Sequence, residues 1–149
     1  MNRRQFLTGL VAIVSASVLP AQEANSKEDY IRMTDSYVNN KQYSEAIEIG
    51  TEGIEKFPRA WELYISVATA HGRSGKSQKS IECLEHLLIV YKGNPKIEAE
   101  AYHGLVIDYY NLRQIEKCKE CIYKGMELIP KDPIYSSALK LIEKFFGDK

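Results

Sequence analysis

The chain has 149 residues, 44% of them hydrophobic and 27% charged. That suits one globular domain and excludes a largely disordered chain. Its 20 basic residues balance 20 acidic ones and form no basic stripe, which argues against a nucleic-acid partner held by phosphate contacts and equally against an anionic membrane surface.

The first segment reads as an address. Arg3 and Arg4 precede an uncharged apolar stretch that runs from Phe6 to Leu19-Pro20-Ala21. Charge, apolar run and a small residue after a helix breaker make up the layout of a secretory signal. The run is 16 residues, short of the roughly 20 a spanning helix needs, and Gly9, Ser15, Ser17 and Pro20 interrupt it. Cleavage is expected after Ala21. No Cys stands at the end of the apolar stretch, so no lipid anchor and no stable membrane anchor are expected in the mature chain. Residues 1–21 are thus assigned as signal and 22–27 as a polar linker. The string Arg3-Arg4-Gln5-Phe6-Leu7 resembles the twin-arginine signal family, which pairs two arginines with an apolar dipeptide one residue later. It departs in lacking a basic residue near the cleavage end. The resemblance implies export of a folded chain across a bacterial inner membrane, to the periplasm or beyond. The alternative is a general secretory signal with two incidental arginines.

Beyond the linker the sequence repeats. Tyr30, Tyr37, Tyr43, Ala46 and Pro58 align with Tyr64, His71, Ser77, Ser80 and Lys92 at an offset of 34, and with Tyr102, Tyr109, Ile115, Cys118 and Pro130 at 72. The second offset is two periods plus four residues, which fall around Gly93-Asn94-Pro95-Lys96. Seven helices are expected, near 28–39, 44–57, 61–72, 77–91, 97–111, 114–129 and 133–146. Ser26 to Asp29 form a capping-box pattern before the first. Ser77 is expected to cap the fourth, and Asp132-Pro133 opens the last with a cap and a first-turn proline. Within each repeat an aromatic (Tyr30, Tyr64, Tyr102) begins the first helix. A small residue (Ala46, Ser80, Cys118) stands where the second helix must cross it closely.

Period and pattern together resemble the tetratricopeptide repeat (TPR) family over roughly 26–130. Val106 replaces a usual small residue, Lys41 and Arg113 replace the turn glycine kept at Gly75, and Lys92 replaces a closing Pro. The resemblance implies an all-α domain over 28–146. Three helical hairpins (repeats near 27–60, 61–94 and 99–132) would stack as a short right-handed α-solenoid, with 133–146 as the capping helix that repeat arrays need.

Chemistry is sparse. Cys118 and Cys121 form a C-x-x-C string inside a helix rather than at its N-terminus, with no strand before it. Packing accounts for both and for Cys83, leaving a disulfide, a zinc site or a redox role as alternatives. His71 takes an aromatic's place in the repeat. No nucleophile–His–acid set and no Gly-rich phosphate loop is present, so no catalysis and no cofactor are expected. By the family resemblance, the first helix of each hairpin lines a concave groove. Ile31, Asp35, Val38 and Asn39 come from the first repeat, Ile65, Thr69 and Arg73 from the second, and His103, Ile107, Tyr110 and Asn111 from the third. Tyr110 and Arg73 are expected to pair as an aromatic and cationic anchor on neighbouring rungs. The Lys and Asn pattern by which some family members clamp a terminal carboxylate is absent. The expected function is an exported adaptor or assembly factor that binds a peptide or helix of another protein. The alternatives are self-association through the apolar last helix, notably Phe145 and Phe146, and a redox or metal-linked role for the cysteine pair.

Overall fold

The computed structural model describes residues 23–147; the expected signal segment 1–21 lies outside them. The described chain is seven helices: α1 (Lys27–Asn39), α2 (Tyr43–Lys56), α3 (Trp61–Arg73), α4 (Ser77–Val90), α5 (Pro95–Asn111), α6 (Ile115–Leu128) and α7 (Pro133–Phe146). Each falls where the periodicity places one.

Local chemistry sets the ends. The Asp29 N–H donates to Ser26 Oγ at 3.1 Å while the Ser26 N–H donates back to the Asp29 carboxylate at 3.2 Å, closing the expected capping box. Asp132 accepts from the Ile134 N–H at 2.9 Å with Pro133 in the first turn. Two expectations change. Ser77 does not cap α4: Lys76 holds the cap position without a side-chain bond, and Ser77 is buried inside the first turn, where its hydroxyl bonds the Asp108 carboxylate. The four inserted residues do not widen a turn. Asn94 caps α5 through the Ile97 N–H at 3.2 Å and Pro95 starts the helix, so α5 has 17 residues where α1 and α3 have 13. Lys27, assigned to the linker, is the first residue of α1.

The chain turns after α1, α3 and α5 through positive φ at Lys41 (61°), Gly75 (81°) and Arg113 (58°). The three positions are equivalent, and the two that lost glycine adopt the left-handed conformation regardless, at a cost glycine avoids.

Consecutive helices pack on one another, and α1 with α3 and α3 with α5 also touch. The odd helices thus lie side by side as one layer, each even helix bridging two of them. Ala46, Ser80 and Cys118 are all buried, as close helix crossings require. The cap is seated by one side chain. Tyr135 is fully buried, donates its hydroxyl to the Ala99 carbonyl and lies 4.4 Å from the His103 ring. Its ring fills the space over Gly125, where a Cβ would stand 2.0 Å from Tyr135 Cζ.

Candidate functional site

Two rows of side chains spaced four apart face each other across the odd-helix layer: Ile65, Thr69 and Arg73 on α3, and His103, Ile107 and Asn111 on α5. Residues at i, i+4 and i+8 share one helix face, and here the two faces enclose a cleft of about 340 Å³. Ala68, Leu84 and Gly104 form part of its floor. Gly104 has to be small, since a Cβ there would come within 2.6 Å of Leu84 Cδ1.

The cleft is electrically graded along its length. Arg73 and Asn111 stand exposed where α3 and α5 end, and Glu100 lines it nearer the start of α5. Beneath lies Asp108, almost fully buried. Burial pushes its carboxyl above the usual carboxylate range, against hydrogen bonds from Ser80 and Ser77 that pull it down. His103 forms part of the wall and is already engaged, with Nε2 3.0 Å from Asp132 and Nδ1 3.9 Å from Glu100. Thr69 donates its hydroxyl to the Ile65 carbonyl at 2.8 Å, which leaves the oxygen free to accept. Donors at one end, a carboxylate at the other and apolar patches between suit a polypeptide segment of mixed character.

Six expected groove residues line this cleft; five lie elsewhere. Asn39 and Asp35 are exposed on α1, but Asp35 accepts a hydrogen bond from Ser66 of α3 and is tied into the seam between the two helices. Ile31 is half-buried against the cluster of Tyr30, Ala60 and Leu63. Val38 is not a groove residue. It is only 6% exposed and packs with Ala46 and Ala70, because it continues the buried row Tyr30, Thr34, Val38 rather than the outward row Ile31, Asp35, Asn39. Tyr110 does not pair with Arg73. It lines a second, apolar cleft of about 260 Å³ between α5 and α7, where its ring meets the Phe146 ring edge-on at 6.0 Å and Arg113 lies 5.9 Å over it. Phe146 packs against the core, so the exposed aromatic of α7 is Phe145 alone. Glu100 and Asp108 were missed by the sequence reading, although they form the i, i+4, i+8 row Glu100, Gly104, Asp108 beside the row it did identify.

The cysteines are free thiols. Burial raises the pKa of all three, that of Cys121 to about 11. A redox dithiol needs the opposite shift. Cys118 Sγ donates to the Val106 carbonyl at 3.3 Å, in keeping with a packing role. Burial, then Lys79 and Lys76, hold His71 below the usual imidazole range.

Among solved structures the chain resembles TPR domains. It matches the first TPR domain of the human RPAP3 protein at 21% identity with a TM-score of 0.70, covering 79% of this chain and 90% of that one. The first TPR of Spaghetti (RPAP3), bound to the HSP90 peptide SRMEEVD, matches at 18% identity and a TM-score of 0.73, over 85% and 97% of the two chains. The Sgt2 TPR domain from Aspergillus fumigatus matches at 20% identity and 0.71, over 81% and 79%. No protein-family model and no curated protein matches the chain. At these identities the likeness shows the fold: a short solenoid of TPR hairpins.

Proposed function

We propose that this chain is an exported protein-binding module that holds a segment of another protein in the cleft between α3 and α5. The observation that carries this reading is the convergence of Arg73, Thr69, Ile107 and Asn111 on one concave face whose shape comes from the helix stacking itself. A domain of the same fold is known bound to a peptide, which supports peptide capture as a use for such a face. The partner differs from that peptide in chemistry, since Glu100 stands in the cleft here and the Lys and Asn clamp pattern is absent. No catalytic role is assigned. Asp108, the buried acid of the cleft, is tied to Ser80 and Ser77 beneath the floor.

The test is affinity capture from the exported fraction, then calorimetric titration of the captured partner. Arg and aromatic anchors often carry ~2 kcal/mol or more of binding, so Arg73→Ala is expected to weaken affinity about tenfold or more. Unchanged binding in Arg73→Ala together with Ile107→Ala would place the interface elsewhere. Export rests on the residues of the first segment. Replacing Arg3 and Arg4 by Lys together is expected to leave the precursor in the cytoplasm, whereas secretion at the normal level would mean the general route is used.

A further inference from the structure

The helix α7 carries two apolar stripes of heptad spacing. Tyr135, Leu139, Ile142 and Phe146 pack inward against the core. Ile134, Ala138, Leu141 and Phe145 form a second stripe turned about a quarter circle away. Three of those four are strongly exposed, Ile134 at 56%, Leu141 at 56% and Phe145 at 64%. Leu141 and Phe145 also continue into the apolar cleft that Tyr110 lines. A surface helix with one buried stripe does not need a second one. This stripe is the seam onto which a further helix would pack, as each even helix of the array packs on the odd one before it.

Charge says which helix. At about 100° per residue, the solvent-side edge of the exposed stripe is formed by Ser137, Lys144 and Lys140. Lys144 lies 5.4 Å over the Phe145 ring. Across the cleft, Arg113 lies 5.9 Å over Tyr110 and 6.0 Å over Phe146. Glu143, the one acid of α7, is about 160° round the helix from Leu141 and Phe145 and three residues from Lys140, so the charge it can offset is that of Lys140, while Lys144 stays beside the stripe over Phe145. We infer that the α5–α7 face docks an amphipathic helix of another protein whose polar flank is acidic. A second copy of this chain fits worse. Antiparallel pairing of two α7 helices sets like edges against each other, lysines against lysines, and parallel pairing sets the lysine edge against the side that carries Arg113. The amino-terminal apolar segment fits no better, since its only charges are Arg3 and Arg4. This face is separate from the α3–α5 cleft and stands or falls independently of it.

The test uses two labelled synthetic amphipathic peptides of about four helical turns. Both carry the same apolar stripe, one with Glu along its flank and the other with Lys. Fluorescence anisotropy against the mature-length protein is expected to show the Glu peptide binding at least about tenfold tighter than its twin, with the difference shrinking as salt is raised. Replacing Lys140 and Lys144 by Glu should reverse the preference. Phe145→Ser, at an exposed site, should abolish binding of the Glu peptide while circular dichroism stays unchanged, and Arg73→Ala should leave it intact. Equal binding of the twins, or a preference that survives Lys140→Glu with Lys144→Glu, would overturn the assignment. So would a sedimenting dimer that Leu141→Asp converts to monomer, since the occupant would then be a second copy.

Discussion

Replacing Gly125 by Ala should destabilise the protein, although the same change inside most helices stabilises. Alanine gains roughly 1 kcal/mol over glycine in helix propensity. Against that stands geometry. A Cβ at Gly125 would lie 2.0, 2.2 and 2.6 Å from three ring atoms of Tyr135. That ring cannot swing aside freely, because its hydroxyl is bonded to Ala99 and its face rests on His103. Overpacking a tight contact costs ~1–3 kcal/mol, and expelling a buried aromatic altogether costs ~3–5 kcal/mol. Because contacts this short on a pinned ring cannot be relieved by small shifts, expulsion is the case that applies, and the expected net loss after the propensity gain is about 2–4 kcal/mol. Urea unfolding followed by circular dichroism measures it, and a double-mutant cycle isolates its cause. In a Tyr135→Ala background, Gly125→Ala should reverse sign and stabilise by up to about 1 kcal/mol. A neutral or stabilising Gly125→Ala in the presence of Tyr135 would refute the account of how α7 is seated.

The two left-handed turn residues give a prediction of opposite sign. Lys41→Gly and Arg113→Gly should each stabilise by about 0.5–1 kcal/mol, because relief of positive φ outweighs glycine's entropy in the unfolded chain; a loss at either site in the same unfolding assay would contradict the turn geometry. Asp108→Asn should raise stability near neutral pH. Burial raises the folded pKa of Asp108 above its unfolded value, so the folded state holds the proton more tightly and stability falls as pH rises from about 4 through the folded pKa. The variant's advantage should therefore vanish below about pH 4, and an advantage independent of pH would show that the carboxyl does not titrate against burial.

Much of the architecture could be read from the residues because the repeat reports directly on packing. Tyr30, Tyr64 and Tyr102 with Ala46, Ser80 and Cys118 mark successive helix crossings, and their spacing of 34 and then 38 residues leaves room for two helices per unit. A period count does not say which element absorbs an insertion. The four extra residues went to α5 because Asn94 and Pro95 form a helix start, so a turn was lengthened into helix. Ser77 misled for a related reason. A hydroxyl near a helix start serves equally as a cap or as a donor to a tertiary partner, and the partner, Asp108, is 31 residues away.

The expected residues that line the cleft are the i, i+4, i+8 rows of α3 and α5, Ile65, Thr69, Arg73 and His103, Ile107, Asn111; the equally regular row Ile31, Asp35, Asn39 on α1 lies outside it, and Val38 and Tyr110 stand off the rows. Val38 and Tyr110 are the same position in the first and third repeats, with Gly72 between them in the second. All three face the next helix of the odd layer. Val38 is covered there by α3, which brings Ala70 against it, and Gly72 lines the cleft that α5 closes. Tyr110 faces α7, where it meets Phe146 edge-on and lines the apolar cleft left between the two helices. One sequence position is thus core, cleft floor or exposed aromatic according to what the following repeat supplies. The exposed stripe on α7 follows from the same rule carried one step further, since α7 occupies the place of a first helix and no second helix of the described chain covers it. The exposed Ile134, Leu141 and Phe145 are thus the counterpart, on α7, of positions that α1, α3 and α5 cover with their following helix, which is why the inferred docking of an acidic-flanked helix falls on this face.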